Sequence, residues 1–136
     1  MNNEQTLSII KPDAVERNLT ENIKKIFIKN NLKIKENKKI HITKDEAAEF
    51  YKVHQSKPFY NDLCAYLSSG PIFVMILEGE NAVVANRKLM GATDPKDADE
   101  NTIRKLYGIS IDKNSVHGSD SVENAKKEIE FFFKNY

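Results

Sequence analysis

The stretch from Ile72 to Leu77 is apolar at every position and lies between Ser69-Gly70-Pro71 and Glu78-Gly79-Glu80. It limits the possible folds more than any other segment, because so short and uniform a run fits a strand buried on both faces. A second apolar run, Leu7 to Ile10, closes at Lys11-Pro12-Asp13. It reads as a strand followed by a turn, with proline in the first helical position, where its missing N–H costs nothing. From Leu32 to Ile42 the pattern alternates, and Leu32, Ile34, Ile40 and Ile42 share one parity across the polar Glu36 and Lys38. That spacing predicts a half-buried strand, bent at Asn37.

Helical spacing fills the intervals. Ile23, Ile26 and Phe27 recur at three and four with Lys24 and Lys25 between them, and the pattern fades at Asn30-Asn31. Thr43 with Glu46 three residues on is a capping box, and Ala47, Phe50, Tyr51 and His54 follow at helical intervals. Lys57-Pro58 stops that helix. Another starts at Pro58-Phe59 and places Phe59, Leu63, Tyr66 and Leu67 on one face. Asn81 to Met90 and Thr102 to Tyr107 read as helices, Asp94-Pro95 as a turn, and Ile109-Ser110-Ile111 as too short to place. Asp120 with Glu123 forms a second capping-box pattern, before the stripe Val122, Ala125, Ile129 and Phe132. Strands and helices interspersed in this order fit one sheet with helices packed on it. The expected fold is an α/β (α+β) ferredoxin-like sandwich, a four-stranded, mainly antiparallel sheet covered by helices.

A chain of 136 residues, 40% hydrophobic and 30% charged, suits one domain over residues 1–136 that buries about two-thirds of its unfolded surface. Twenty-one Lys and Arg against 20 Asp and Glu leave a formal charge of +1. No bulk field draws it to nucleic acid or an anionic membrane, so any anion site is local. The lone Cys64 forms no internal disulfide, Met1 to Thr6 lacks the features of a secretory signal, and Ile72 to Leu77 is far short of the roughly 20 residues of a membrane span. A soluble, cytoplasmic protein is the expectation.

His117 stands before Gly118 and a helix start, where backbone can approach a ligand closely, and imidazole attacks phosphorus at neutral pH without prior deprotonation. A lone histidine is most often a structural residue, and His41 and His54 read that way. What separates His117 from them is its company. Lys11, Arg87 and Arg104 are isolated cations, each unremarkable as a surface charge, that together suit a polyphosphate, where charge neutralisation is most of catalysis. Neither Gly-x-x-x-x-Gly-Lys nor Gly-x-Gly-x-x-Gly occurs, so nucleotides would be held without the common glycine-rich cradle.

The segments Thr6 to Val15, Lys57 to Tyr60, Ser69 to Pro71, Leu77 to Glu80, Asn86 to Pro95, Thr102 to Arg104 and Asn114 to Asp120 resemble, in order and in register, the nucleoside diphosphate kinase family. The resemblance runs from about residue 5 to 133, and Asn114-Ser115-Val116-His117-Gly118-Ser119-Asp120 alone is highly specific. It implies that the γ-phosphate of ATP or another nucleoside triphosphate passes to His117 and then to a second nucleoside diphosphate, deoxy forms included, which maintains triphosphate pools. By matched position it assigns Lys11, Tyr51, Arg87, Thr93 and Arg104 to the phosphates and Asn114 with Lys11 to the sugar. Phe59 takes the base, with Leu63 and Ile111 nearby, and Glu128 orients the histidine. Lys11 and Glu128 would thus share the catalytic work with His117. Stacking on Phe59 implies broad base specificity, since every base has a π-face. Mg²⁺ is implied chiefly through the nucleotide phosphates, with at most indirect help from Asp120 and no protein metal site.

Plainer uses stand beside these roles. Glu128 lies among Lys126, Lys127 and Glu130 and could be a surface charge; Ser119 and Asp120 could cap the last helix; the Tyr51 ring serves the core while its hydroxyl reaches the phosphate. Glu21 and Asn101 stand where the family commonly has glycine, Lys57 where arginine is usual, and Leu106-Tyr107 in place of Asp-Phe. Asn101 tolerates a left-handed backbone better than most residues. An RNA-binding module of similar topology needs exposed strand aromatics and a basic face, and the central strands offer only Phe73. A scaffold that has lost the reaction is at odds with intact His117, Lys11, Arg87 and Arg104. The resemblance further implies a homo-oligomer, a tetramer or hexamer of dimers. Phe131, Phe132 and Phe133 cannot all face one core, so at least one should meet a loop or another subunit.

Overall fold

The computed structural model describes residues 3–110 and 113–133. Four strands, β1 (Asn3–Ile10), β2 (Lys33–Ile40), β3 (Ile72–Glu80) and β4 (Val116–Gly118), form one sheet in the order β2-β3-β1-β4, and every pairing is antiparallel. The helices are α1 (Pro12–Glu16), α2 (Thr20–Lys29), α3 (Lys44–Phe50), α4 (Tyr60–Leu67), α5 (Ala82–Met90), α6 (Ile103–Tyr107) and α7 (Val122–Phe132). Short 3₁₀ turns cover Lys52–His54 and Pro95–Asp97. This is the expected ferredoxin-like α/β sandwich.

β3 is central and buried on both faces, as its composition requires. Ile72, Val74 and Ile76 enter a core with Ala47, Leu67 and Ile129, from the helices α3, α4 and α7. Met75 and Leu77 enter a second core with Phe27, Met90 and Ile103, from α2, α5 and α6. Phe73 packs against that second core with Lys24 Nζ 4.8 Å from its ring centre, so it is no stacking platform for RNA bases.

β2 departs from the expected alternation. A bulge between Ile34 and Glu36, rather than a bend at Asn37, shifts the register, so that Ile34 pairs with Leu77 but Glu36 with Ile76. One extra residue reverses the facing of all that follow. Ile34 therefore packs on one core and Ile40 on the other, although the two share a parity in sequence. Lys38 is turned toward α7, where its ammonium donates to the Phe132 carbonyl and lies 4.8 Å from the Phe133 ring.

Thr43 caps α3 with the full capping box, Glu46 N–H to Thr43 Oγ1 at 3.1 Å and Thr43 N–H to Glu46 Oε1 at 2.9 Å. The cap of α7 is Ser121 and not Asp120. Extended Ser121 accepts the Asn124 N–H at 3.1 Å, while the Asp120 carboxylate takes the Asn124 side-chain amide at 2.6 Å. That second bond holds the Asp120 carboxyl below its ordinary range. α4 begins at Tyr60, with Phe59 as its cap residue.

Asn101 adopts φ 70°, the left-handed conformation that asparagine tolerates at a position commonly glycine in the family. Glu21 is exposed and pairs with Lys24 at 3.6 Å, so its side chain fills no packed space within the chain. Of the three consecutive phenylalanines, Phe132 is buried, and Phe131 lies 5.7 Å from the Phe50 ring. Among the described residues no helix is long and apolar enough to cross a membrane.

Candidate active site

β4 is an edge strand of three residues, and it carries the histidine. Register pairs His117 with Ile9 and Gly118 with Ser8, so the two side-chain positions face opposite layers. Gly118 faces α5. A Cβ there would fall 2.3 Å from Asn86 Nδ2 and 2.9 Å from Met90 Cε, so only glycine allows α5 to lie this close beneath the strand.

His117 faces α3 and α7. Its Nε2 lies 3.1 Å from Glu128 Oε1, and the same carboxylate oxygen accepts the Ser119 hydroxyl at 2.8 Å. Ser119 is itself tied to β1, since its hydroxyl oxygen accepts the Leu7 N–H at 3.3 Å. An ionised carboxylate only accepts, so this bond requires the imidazole proton on Nε2 and leaves the Nδ1 lone pair available. The Phe50 ring meets the imidazole edge-on, 5.3 Å between centres at 75°, and restricts its rotation. Glu128 is thus bonded to both His117 and Ser119 and does not stand alone on the surface of α7.

The ring opens on a cleft of about 710 Å³ lined by Lys11, Tyr51, Phe59, Leu63, Arg87, Thr93, Arg104 and Asn114. That volume is within the usual ligand-site range of roughly 300–1,000 Å³. These side chains come from segments far apart in sequence. Lys11, at the end of β1, is 6% exposed and donates from Nζ to Asn114 Oδ1 at 3.0 Å; Asn114 in turn donates from Nδ2 to the Thr93 carbonyl at 3.0 Å. Arg87 is exposed in the last turn of α5.

Arg104 is 8% exposed, and its guanidinium donates to the Gly91 and Val116 carbonyls, each at 3.0 Å, while Nε is buried without a partner. Gly91 has φ 84°, a backbone conformation that glycine adopts without strain. Burial, reinforced by the charge of Arg87, pushes the Arg104 guanidinium down to about 10. It remains a cation at neutral pH, held in a site whose carbonyls do not neutralise it. Tyr51 is buried against Phe50, and desolvation first, then Cys64 and Glu128, raises its phenol above the ordinary value. Its hydroxyl stays protonated as a donor.

Phe59 is 44% exposed at the cleft mouth, with Lys57 Nζ 5.7 Å from its ring centre, and Leu63 is half-buried a turn into α4. Ile111 falls outside the described residues. His54, read from sequence as a structural residue, also lines the cleft, and its Nδ1 is buried without a partner. Burial and the Lys57 charge lower its basicity. Phe50 was legible only as core. Their helical spacing gave no signal of the cleft, which exists only once α3 meets β4 and α7.

Among the described residues no three His, Cys, Asp or Glu side chains gather into a metal cage. Asp120 lines the cleft and belongs to no such group, which would suit a Mg²⁺ carried in on phosphates and mostly hydrated. A Mg²⁺ bound there would supply charge neutralisation to the phosphates.

A braced imidazole with one available nitrogen, facing cations in an open cleft, is a site equipped for phosphoryl transfer. The family profile described as Nucleoside diphosphate kinase matches residues 4–136. A Nucleoside diphosphate kinase of Nitratiruptor sp. is 59% identical over 130 residues, 96% of this chain and 95% of that one. Another, of Rhizorhabdus wittichii, is 56% identical over 134 residues, covering 98% and 96%. The solved nucleoside diphosphate kinase of Aquifex aeolicus superposes with a TM-score of 0.97 at 40% identity, over 98% of this chain and 97% of that one. The chain belongs to the nucleoside diphosphate kinase family and is a phosphotransferase.

Proposed function

We propose that the protein moves the γ-phosphate of a nucleoside triphosphate to a nucleoside diphosphate through a phosphohistidine at His117, in two half-reactions at one site. The observation that carries this is the Nε2 to Glu128 bond at 3.1 Å, which leaves Nδ1 as the nucleophile. In the first half the Nδ1 lone pair forms the N–P bond. The γ-phosphorus separates from its bridging oxygen, which keeps the electron pair and departs on the diphosphate. Glu128 stabilises the positive charge that the ring acquires. In the second half a terminal oxygen of a different diphosphate forms the new O–P bond, the N–P bond breaks with its electron pair returning to Nδ1, and the ring is restored.

Lys11, Arg87 and Arg104 face charge on the phosphates, with Thr93 and the Tyr51 hydroxyl as neutral donors. Asn114 and Lys11 share the sugar hydroxyls in this reading, which their mutual bond at 3.0 Å supports. Phe59 offers its exposed ring to the base beside Leu63. ATP, other triphosphates and diphosphates, deoxy forms included, are all substrates in this reading, and the cellular role is upkeep of the triphosphate pools. Incubation with γ-labelled ATP and Mg²⁺ should give an acid-labile phosphoprotein that passes its label to added GDP. Absence of that label would sink the mechanism.

Phe59→Ala should weaken nucleotide binding by about 1–3 kcal/mol, the usual worth of base–aromatic stacking. Titrations with adenine, guanine, cytosine and thymine diphosphates should show similar losses. A loss confined to one base would mean edge recognition instead of stacking.

A further inference from the structure

Asp13 is a buried carboxylate that the transfer chemistry leaves unused. It lies two residues after Lys11, in α1, and gathers bonds from segments far apart in sequence. Its Oδ1 accepts the Tyr66 hydroxyl from α4, and the Tyr66 oxygen accepts the Asp13 backbone N–H at 2.8 Å. Burial and the adjoining carboxylate raise the Tyr66 phenol above its ordinary range, so it remains a donor. Asp13 Oδ2 accepts from Arg17 Nη2 at 3.0 Å and from the Ser115 hydroxyl at 3.1 Å. Arg17 extends the cluster to the Tyr107 carbonyl at the end of α6, the helix that carries Arg104.

Ser115 is the unusual partner. It is wholly buried and adopts φ 75°, a left-handed backbone that serine rarely takes. Such a conformation persists only where the surroundings over-determine it. Here the side chain is held by Asp13, and the carbonyl accepts the Lys11 N–H at 2.8 Å. The bend lies between Asn114, which bonds the Lys11 ammonium, and His117, two residues further on.

We propose that Asp13 is a positioning residue for phosphoryl transfer, which holds Ser115 in its left-handed bend and so sets Asn114 and His117 against Lys11 and Arg104. This rests on the phosphohistidine reading above. An i,i+4 pair with Arg17 would suffice merely to support α1. The bonds from Tyr66 and Ser115 instead connect α1 to the elements that present the base-binding and histidine-bearing segments.

Two variants test it, Asp13→Asn and Asp13→Asn with Ser115→Gly, since glycine takes a positive φ without the strain that the carboxylate restrains. Single-turnover labelling of His117 in folded protein, well below the thermal midpoint, should be roughly 10- to 100-fold slower in the single variant. The double variant should regain at least about fivefold, by relief of strain at a coupled neighbour. Its thermal midpoint should not recover in parallel, because the Ser115 hydroxyl bond is also gone. Amide exchange at Lys11, whose N–H the Ser115 carbonyl holds, should speed up in the single variant and slow again in the double. Labelling at the wild-type rate in Asp13→Asn, a loss that glycine leaves untouched, or unaltered Lys11 exchange overturns the proposal. If wild-type protein takes no label, the phosphohistidine reading fails, and Lys11 exchange still decides whether Asp13 holds the bend.

Discussion

His117→Ala should abolish the labelled phosphoprotein and lower nucleotide-to-nucleotide transfer by at least about 10⁴-fold, the scale seen when a covalent nucleophile is removed. Glu128 and Arg104, its neighbours in the cleft, cannot take over. Glu128 lies on the Nε2 side, and Arg104 is a cation at neutral pH. The fold should survive. The His117 side chain is 22% exposed, and Glu128 keeps its bond from Ser119, so the stability change should stay within about 1 kcal/mol. Transfer above about 1% of wild type, in protein with a normal melting curve, would show that phosphate travels another way.

Arg104→Met should lower transfer by about 10² to 10³, the usual cost of removing a preorganised group that faces developing negative charge. Its buried guanidinium donates to two carbonyls and, among the described residues, forms no salt bridge. Because its basicity in the fold is lowered to about 10 from 12.5, the charged form is disfavoured relative to the unfolded chain. That cost is fully present at neutral pH and is relieved only as pH rises past about 10. A phosphate in the cleft relieves it at neutral pH. A diphosphate at about 100 times its dissociation constant should therefore stabilise wild type by about 2.7 kcal/mol, and the same concentration should do far less for the variant. Melting curves with and without ADP, beside steady-state rates, check both. Transfer within threefold of wild type would remove Arg104 from the phosphate site.

How much of this was readable in the chain depended on whether local or distant contacts decide. β3 was legible because burial on both faces leaves an unbroken apolar run. β2 misled because its bulge at Lys35 leaves no mark in composition, yet it reverses the facing of every residue after it. A fourth strand was expected, but it was not placed at Val116–Gly118. Three residues form no pattern, and that strand exists only through pairing with β1. Within the site, His117, Lys11, Arg87 and Arg104 stood out through the family's motifs and converge on one cleft. Glu128 was singled out from its charged neighbours on α7 only by the resemblance, and it lies 3.1 Å from the imidazole. His54 and Phe50 carried only helical spacing, and the bond from Ser115 to Asp13 spans 102 positions, beyond any local rule.

The edge strand that bears the histidine bears also on how the molecule comes to work. Leu7 and Ser119, bonded to one another, stand 112 positions apart. Closing so long a loop is among the slowest and least local events in folding, and little rewards it until β1 and β3 have already paired. A chain arrested just short of that closure would own every cation of the cleft and no nucleophile beside them. Catalytic competence should therefore appear late and all at once during refolding, which makes the return of activity a sensitive clock for the final docking of β4 and α7.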